Sequence, residues 1–134
     1  MTGLGLSTMR LVVDSDVLID VLRNVAPAIG LLATARRNGD DLLSVTPVRT
    51  EILRGTSPRQ QPAVEEFLRH ISWLDVDVEL ADRAGEIGRL FVRSHQGISV
   101  PDLLLAATVD RVGGQLLTRN VRHFPMFPDL RPAY

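Results

Sequence analysis

The sequence predicts an α/β fold, with residues 9–134 forming one domain around a central parallel sheet of about four to five strands, helices on both faces. Three observations carry that expectation. Short apolar runs rich in branched side chains recur along the chain, as strands buried on both faces require. Stretches of helical periodicity separate them. Capping residues stand where the runs hand over to the helices.

The first run, Leu11 to Val13, stops on Asp14, and Asp14 or Ser15 can cap the helix implied by Val17, Leu18, Val21 and Leu22. Asn24 to Ala26 break that pattern. Pro27 opens a second helix with Ala28, Ile29, Leu31, Leu32 and Ala35 on its apolar face, ending at Asn38-Gly39. Leu42 to Val45 reads as the second strand. Thr46 then caps a helix with Pro47 in its first position, carrying Glu51 and stopping at Gly55. Ser57-Pro58 repeats the start signal for a helix to Arg69, and Ile71 to Val76 alternates as a third strand. Asp77 caps a longer helix with Leu80, Ala84, Ile87, Leu90 and Phe91 inward. Ser99 begins another, with Pro101, Asp102 and a strongly apolar stretch from Leu103 to Val109, closed by Gly113-Gly114. Gln115 to Thr118 is a fourth strand. Beyond Arg119-Asn120 and His123-Phe124 the proline-containing tail reads as irregular, with room for a last edge strand.

Composition narrows the chemistry. A chain of 134 residues without cysteine has no disulfide, thiolate zinc site or cysteine nucleophile. All 15 basic residues are arginine, so every mechanism that needs a lysine is excluded, and the net charge of -1 carries no nucleic-acid signal by itself. Residues 1–8 lack the basic start and apolar core of a signal peptide and read as a disordered extension. The apolar runs are too short for a membrane span, so a cytoplasmic protein is expected.

Three carboxylates occupy comparable places: Asp14 after strand one, Glu51 in the helix after strand two, and Asp102 in the first turn of the helix before strand four. Each also has a bland explanation. Asp14 suits a helix N-terminus, Ser99 and Asp102 have capping-box spacing, and Glu51 can pair with Arg54. Three such coincidences in register with strand ends favour a shared site. Two carboxylates about 5 Å apart repel by about 3 kcal/mol at an effective dielectric near 20, so a converging set calls for a cation. Oxygen-only ligands suit Mg²⁺, with Mn²⁺ as a substitute, and such ions serve phosphodiester hydrolysis.

Here the residues carry a resemblance. Val12-Val13-Asp14-Ser15-Asp16-Val17-Leu18-Ile19-Asp20, Thr50 to Gly55, Pro101 to Ala107 and Leu117 to Pro125 together resemble a PIN domain, and more closely the VapC toxins of bacterial toxin–antitoxin pairs. The resemblance runs from Met9 to about Leu130. It implies a Mg²⁺-dependent endoribonuclease that forms a homodimer and is silenced by a cognate antitoxin. Asp14 and Asp102 match the metal-binding aspartates and Glu51 the glutamate completing the acidic pocket. Ser15 and Thr118 match hydroxyl positions. Asn120 departs from the pattern, standing where many members have a fourth acid, and Asp16 is a neighbour able to compensate in part. Arg49, Arg54, Arg59, Arg119 and Arg122 lie near these motifs and could hold RNA phosphates, whereas His123 beside Phe124 reads as structural.

Competing readings remain. Asp14-Ser15-Asp16 after a strand also resembles the start of haloacid dehalogenase-like phosphatases, and receiver domains group acids similarly, but both depend on a lysine that this chain lacks. A degenerate PIN module that only dimerises or binds a partner is the non-enzymatic alternative, and Asn120 is the residue that supports it.

Overall fold

The protein is described from a computed structural model covering residues 8–134; the expected extension over residues 1–8 lies, apart from Thr8, outside the described residues. The chain runs β1 (Arg10–Val13), α1 (Ser15–Leu22), α2 (Ala26–Arg37), β2 (Asp41–Val45), α3 (Thr46–Arg54), α4 (Gln61–Leu68), β3 (Ser72–Leu74), α5 (Val78–Phe91), α6 (Val100–Val112) and β4 (Gln115–Leu117), followed by one short 3₁₀ turn (Val121–His123).

All strand pairs are parallel, in the order β3-β2-β1-β4. The register sets Val12 opposite both Leu43 and Leu116. β1 is therefore central, and the chain works outward from it first to β2 and β3, then returns through α5 and α6 to place β4 on its other side. Ligand crevices in open parallel sheets form at such a reversal, outside the carboxyl ends of the strands. Here that place lies between the ends of β1 and β4.

Val12 and Val13 are fully buried, as expected of a strand covered on both faces. Around them pack Val17 and Leu18 of α1, Val45 of β2, Val48 of α3 and Leu105 to Ala107 of α6, all without exposure. Helix α6 is apolar nearly all round because it is enclosed by α5 and the sheet. Among the described residues no single helix is long and apolar enough to cross a membrane.

The elements agree with the sequence expectation except at certain boundaries and at two side chains expected to face inward: Leu90 of α5 and Ile29 of α2 are exposed, because each lies well around the helix from the stripe its buried neighbours form. Four strands form, and the tail adds none among the described residues; prolines 125, 128 and 132 lack the N–H donors of a strand ladder. Val45, not Thr46, is the N-cap of α3, with no side-chain capping bond. Helix α4 is regular only from Gln61, but the turn before it carries the expected start signal, a capping-box pattern of Ser57 N–H to Gln60 Oε1 at 3.1 Å and Gln60 N–H to Ser57 Oγ at 3.4 Å.

Two glycines test the packing in opposite directions. A Cβ on Gly114 would lie 2.5 Å from the Arg10 carbonyl oxygen, where β4 approaches β1, whereas one on Gly85, on the open face of α5, would meet nothing within 4 Å. Gly85→Ala should raise stability by about 0.5–1 kcal/mol. Gly114→Ala should lower it by about 1–3 kcal/mol. Denaturant melts of the two variants check both signs.

Candidate active site

β1 delivers Asp14 to the sheet edge. Its backbone N–H continues the ladder to the Leu117 carbonyl at 2.9 Å. The side chain then turns inward, is buried, and caps α1: Oδ1 accepts the Ser15 N–H at 2.7 Å. Oδ2 accepts the hydroxyl of the fully buried Thr118 at 2.8 Å, one residue past the end of β4. Thr118 Oγ1 in turn accepts the Asn120 N–H at 3.0 Å. On the other side, Ser15 Oγ donates to Glu51 Oε2 at 3.1 Å, so Glu51 of α3 is bound to the start of α1. One chain of hydrogen bonds thus joins Glu51, Ser15, Asp14, Thr118 and Asn120 across four elements.

Asp102 enters from α6. Its capping box with Ser99 is formed in both directions: Ser99 Oγ accepts the Asp102 N–H at 3.2 Å, and Asp102 Oδ2 accepts the Ser99 N–H at 3.1 Å. The carboxylate is nonetheless buried, and Oδ1 has no hydrogen bond among the described residues. Nδ1 of His123 lies 3.2 Å from Oδ2. Sequence reasoning left His123 outside the site; its only signal was its place three residues after Asn120, in the turn that follows Thr118.

The supporting residues divide. Both oxygens of Asp16 are taken by backbone donors, Val17 N–H at 2.8 Å and Arg119 N–H at 2.9 Å, so it anchors the loop after β4 onto α1. Asn120 is exposed beside that loop. Arg49 stacks over Trp73, 5.4 Å from the ring centre, and Arg119 over Tyr134, 5.2 Å from its ring centre.

Burial drives the electrostatics. The Asp14 carboxyl is raised to about 6, first by desolvation and then by the nearby charge of Asp16, with a smaller contribution from Asp102; the bonds from Thr118 and Ser15 work against this. Among the described residues, no three His, Asp or Glu side chains are grouped so as to hold a metal ion. Of the three expected acids, Asp14 is linked to Glu51 through the Ser15 hydroxyl and feels the charge of Asp102 less than that of Asp16. Buried oxygen donors with unspent lone pairs suit a hard divalent cation that keeps part of its water shell.

Comparison with known proteins agrees with this architecture. The PIN domain family model matches residues 11–127. Ribonuclease VapC19 of Mycobacterium tuberculosis is 40% identical over 122 residues, covering 91% of this chain and 98% of the relative. Ribonuclease VapC10 of the same organism is 39% identical over 124 residues, 92% of each. Among solved structures, a toxin–antitoxin complex from Klebsiella pneumoniae superposes with a TM-score of 0.76 at 18% identity, over 92% of this chain and 98% of that one. A DNA-bound VapBC from Salmonella typhimurium gives 0.76 at 21% identity, over 93% and 97%.

The raised Asp14 carboxyl makes a signed prediction for the metal-free protein. The folded state holds this proton more tightly than the unfolded chain does, so stability falls as pH rises from about 4 to about 6, by up to about 3 kcal/mol from this group. Asp14→Asn carries no charge at any pH and should lose that component. Melts in EDTA across this window should therefore show the variant gaining on wild type as pH rises; a constant difference would contradict the assignment.

Proposed function

This chain belongs to the PIN-domain family, among the VapC ribonucleases, and from that premise we propose that it hydrolyses RNA phosphodiester bonds with a divalent cation, Mg²⁺ or in its place Mn²⁺, as the toxin of a toxin–antitoxin pair. The observation that supports the proposal is the buried Asp14 carboxylate at the reversal of the sheet between β1 and β4, raised to about 6 by burial, with buried Asp102 near enough to add a small charge contribution.

Asp14 and Asp102 would hold the cation. Such an ion supplies charge neutralisation at the phosphate and a lowered pKa for the attacking water. The protein's own part is orientation. Thr118 and Ser15 fix the Asp14 carboxylate from two sides, and the capping box fixes Asp102 while Oδ1 stays uncommitted. Glu51, with Oε2 occupied by Ser15, has Oε1 to accept the proton that the attacking water loses. The antitoxin would cover this acidic site. Leu90, Val92 and Val100, exposed where α5 ends and α6 begins, are the apolar surface a homodimer would bury.

Wild type should cleave RNA with Mg²⁺ and stop in EDTA. Asp102→Asn should lose activity by orders of magnitude. Its metal-free stability should stay within about 1 kcal/mol of wild type, because an amide oxygen can still accept the Ser99 N–H. Mg²⁺ should raise the melting temperature of wild type far more than that of the variant. A variant that cleaves normally and responds fully to Mg²⁺ would leave Asp102 a capping residue only, and a wild type that never cleaves would favour the partner-binding module. Separately, Leu90→Glu should convert a dimer to a monomer in sedimentation velocity.

A further inference from the structure

Beside the acidic pair lies a groove of about 630 Å³ lined by Asp16, Asp20, Arg23, Arg119, Asn120 and Tyr134. The metal-binding reading gives it no role, yet it is bonded in detail. The Arg119 N–H is fixed on Asp16 Oδ2, and its Nη1 donates to Asp20 Oδ2 at 3.2 Å. The Tyr134 hydroxyl donates to the same Asp20 oxygen at 2.5 Å, while its ring underlies the guanidinium. The Ala133 N–H donates to the Thr118 carbonyl at 2.9 Å, so this segment is also tied to the residue that holds Asp14.

The arrangement determines what Arg119 can do. A guanidinium stacked on an aromatic ring keeps its N–H edge available for hydrogen bonding. One corner of that edge is on Asp20; Nε and Nη2 have no protein acceptor among the described residues, and the side chain is half exposed. An immobilised fork next to a phosphodiester-cleaving site matches a phosphate geometrically. Asp20 remains ionised to keep it there, since the Tyr134 hydroxyl foremost, and Arg119 with it, hold its carboxyl below the usual range.

We propose that Tyr134 is a positioning residue which, with Asp20, sets Arg119 as the clamp on a backbone phosphate of the RNA strand next to the cleaved bond. The proposal rests on the ribonuclease reading above.

The test measures binding of a fluorescein-labelled single-stranded RNA of mixed sequence by anisotropy in EDTA, over a salt series, with the full chain. Arg119→Ala should weaken binding about tenfold. It should also make the dependence of log Kd on log salt shallower by about 0.7. Tyr134→Ala should move both quantities in the same direction, and the double variant should bind no worse than Arg119→Ala alone. Tyr134→Phe, which keeps the ring and loses the bond to Asp20, should fall between wild type and Tyr134→Ala, and it carries the test if the alanine variant does not fold. In cleavage assays with Mg²⁺ the loss should fall mainly on KM. Unchanged affinity and salt slope in the Tyr134 variants, or effects of Tyr134 and Arg119 that simply add, would overturn the proposal while leaving the ribonuclease reading intact. A wild type that neither binds nor cleaves RNA would overturn both.

Discussion

A carboxylate buried at the end of the central strand is the constraint on which the rest of the site depends. Asp14 sits where β1 has covered strands on either side, so water cannot solvate it fully, and its proton affinity rises accordingly. The fold answers with donors: a backbone N–H at the start of α1 and a hydroxyl from the end of β4. Each donor fastens another element to the same point. Ser15 passes the link to Glu51 on α3, and Thr118 passes it to the loop that carries Arg119 and Asn120. Satisfying one buried charge therefore assembles the acidic site.

Strand order explains why these parts come from distant stretches of chain. Because β4 pairs with β1 rather than with β3, Thr118 lies beside Asp14 although 104 residues separate them. Helix α6, which immediately precedes β4, is enclosed by the core, and its first turn brings Asp102 to the same edge. The helix is buried from Leu104 to Val109, and the polar residue in its first turn, Asp102, belongs to the candidate site.

Most of the fold was legible because its signals are local. Asp14, Asp77 and Ser99 are the caps that their spacing suggested. Strand order was not legible, since parallel pairing leaves no local mark. Asp14, Glu51, Asp102, Ser15 and Thr118 were named as candidates through the motif pattern. His123 and Tyr134 were not: they reach the site through side-chain contacts across 21 and 114 residues, which no periodicity encodes. The Arg residues were found as a set, but their differences were invisible. Arg119 is held on an aromatic ring and a carboxylate, while Arg49 is stacked on Trp73.

Capping and metal ligation, which the sequence presents as rival explanations of the same aspartates, turn out to be compatible. A carboxylate has two oxygens and about four acceptor positions. Asp102 spends Oδ2 on the Ser99 N–H and leaves Oδ1 uncommitted; Asp14 divides its oxygens between Ser15 and Thr118, with lone pairs unspent on both. Both residues stand at helix N-termini, whose partial positive charge offsets about 0.3–1 kcal/mol of the cost of each negative charge. Each carboxylate is then kept buried by donors from the chain itself, without a lysine. Capping holds each carboxylate in place, and the acceptor positions it does not use remain available for the chemistry.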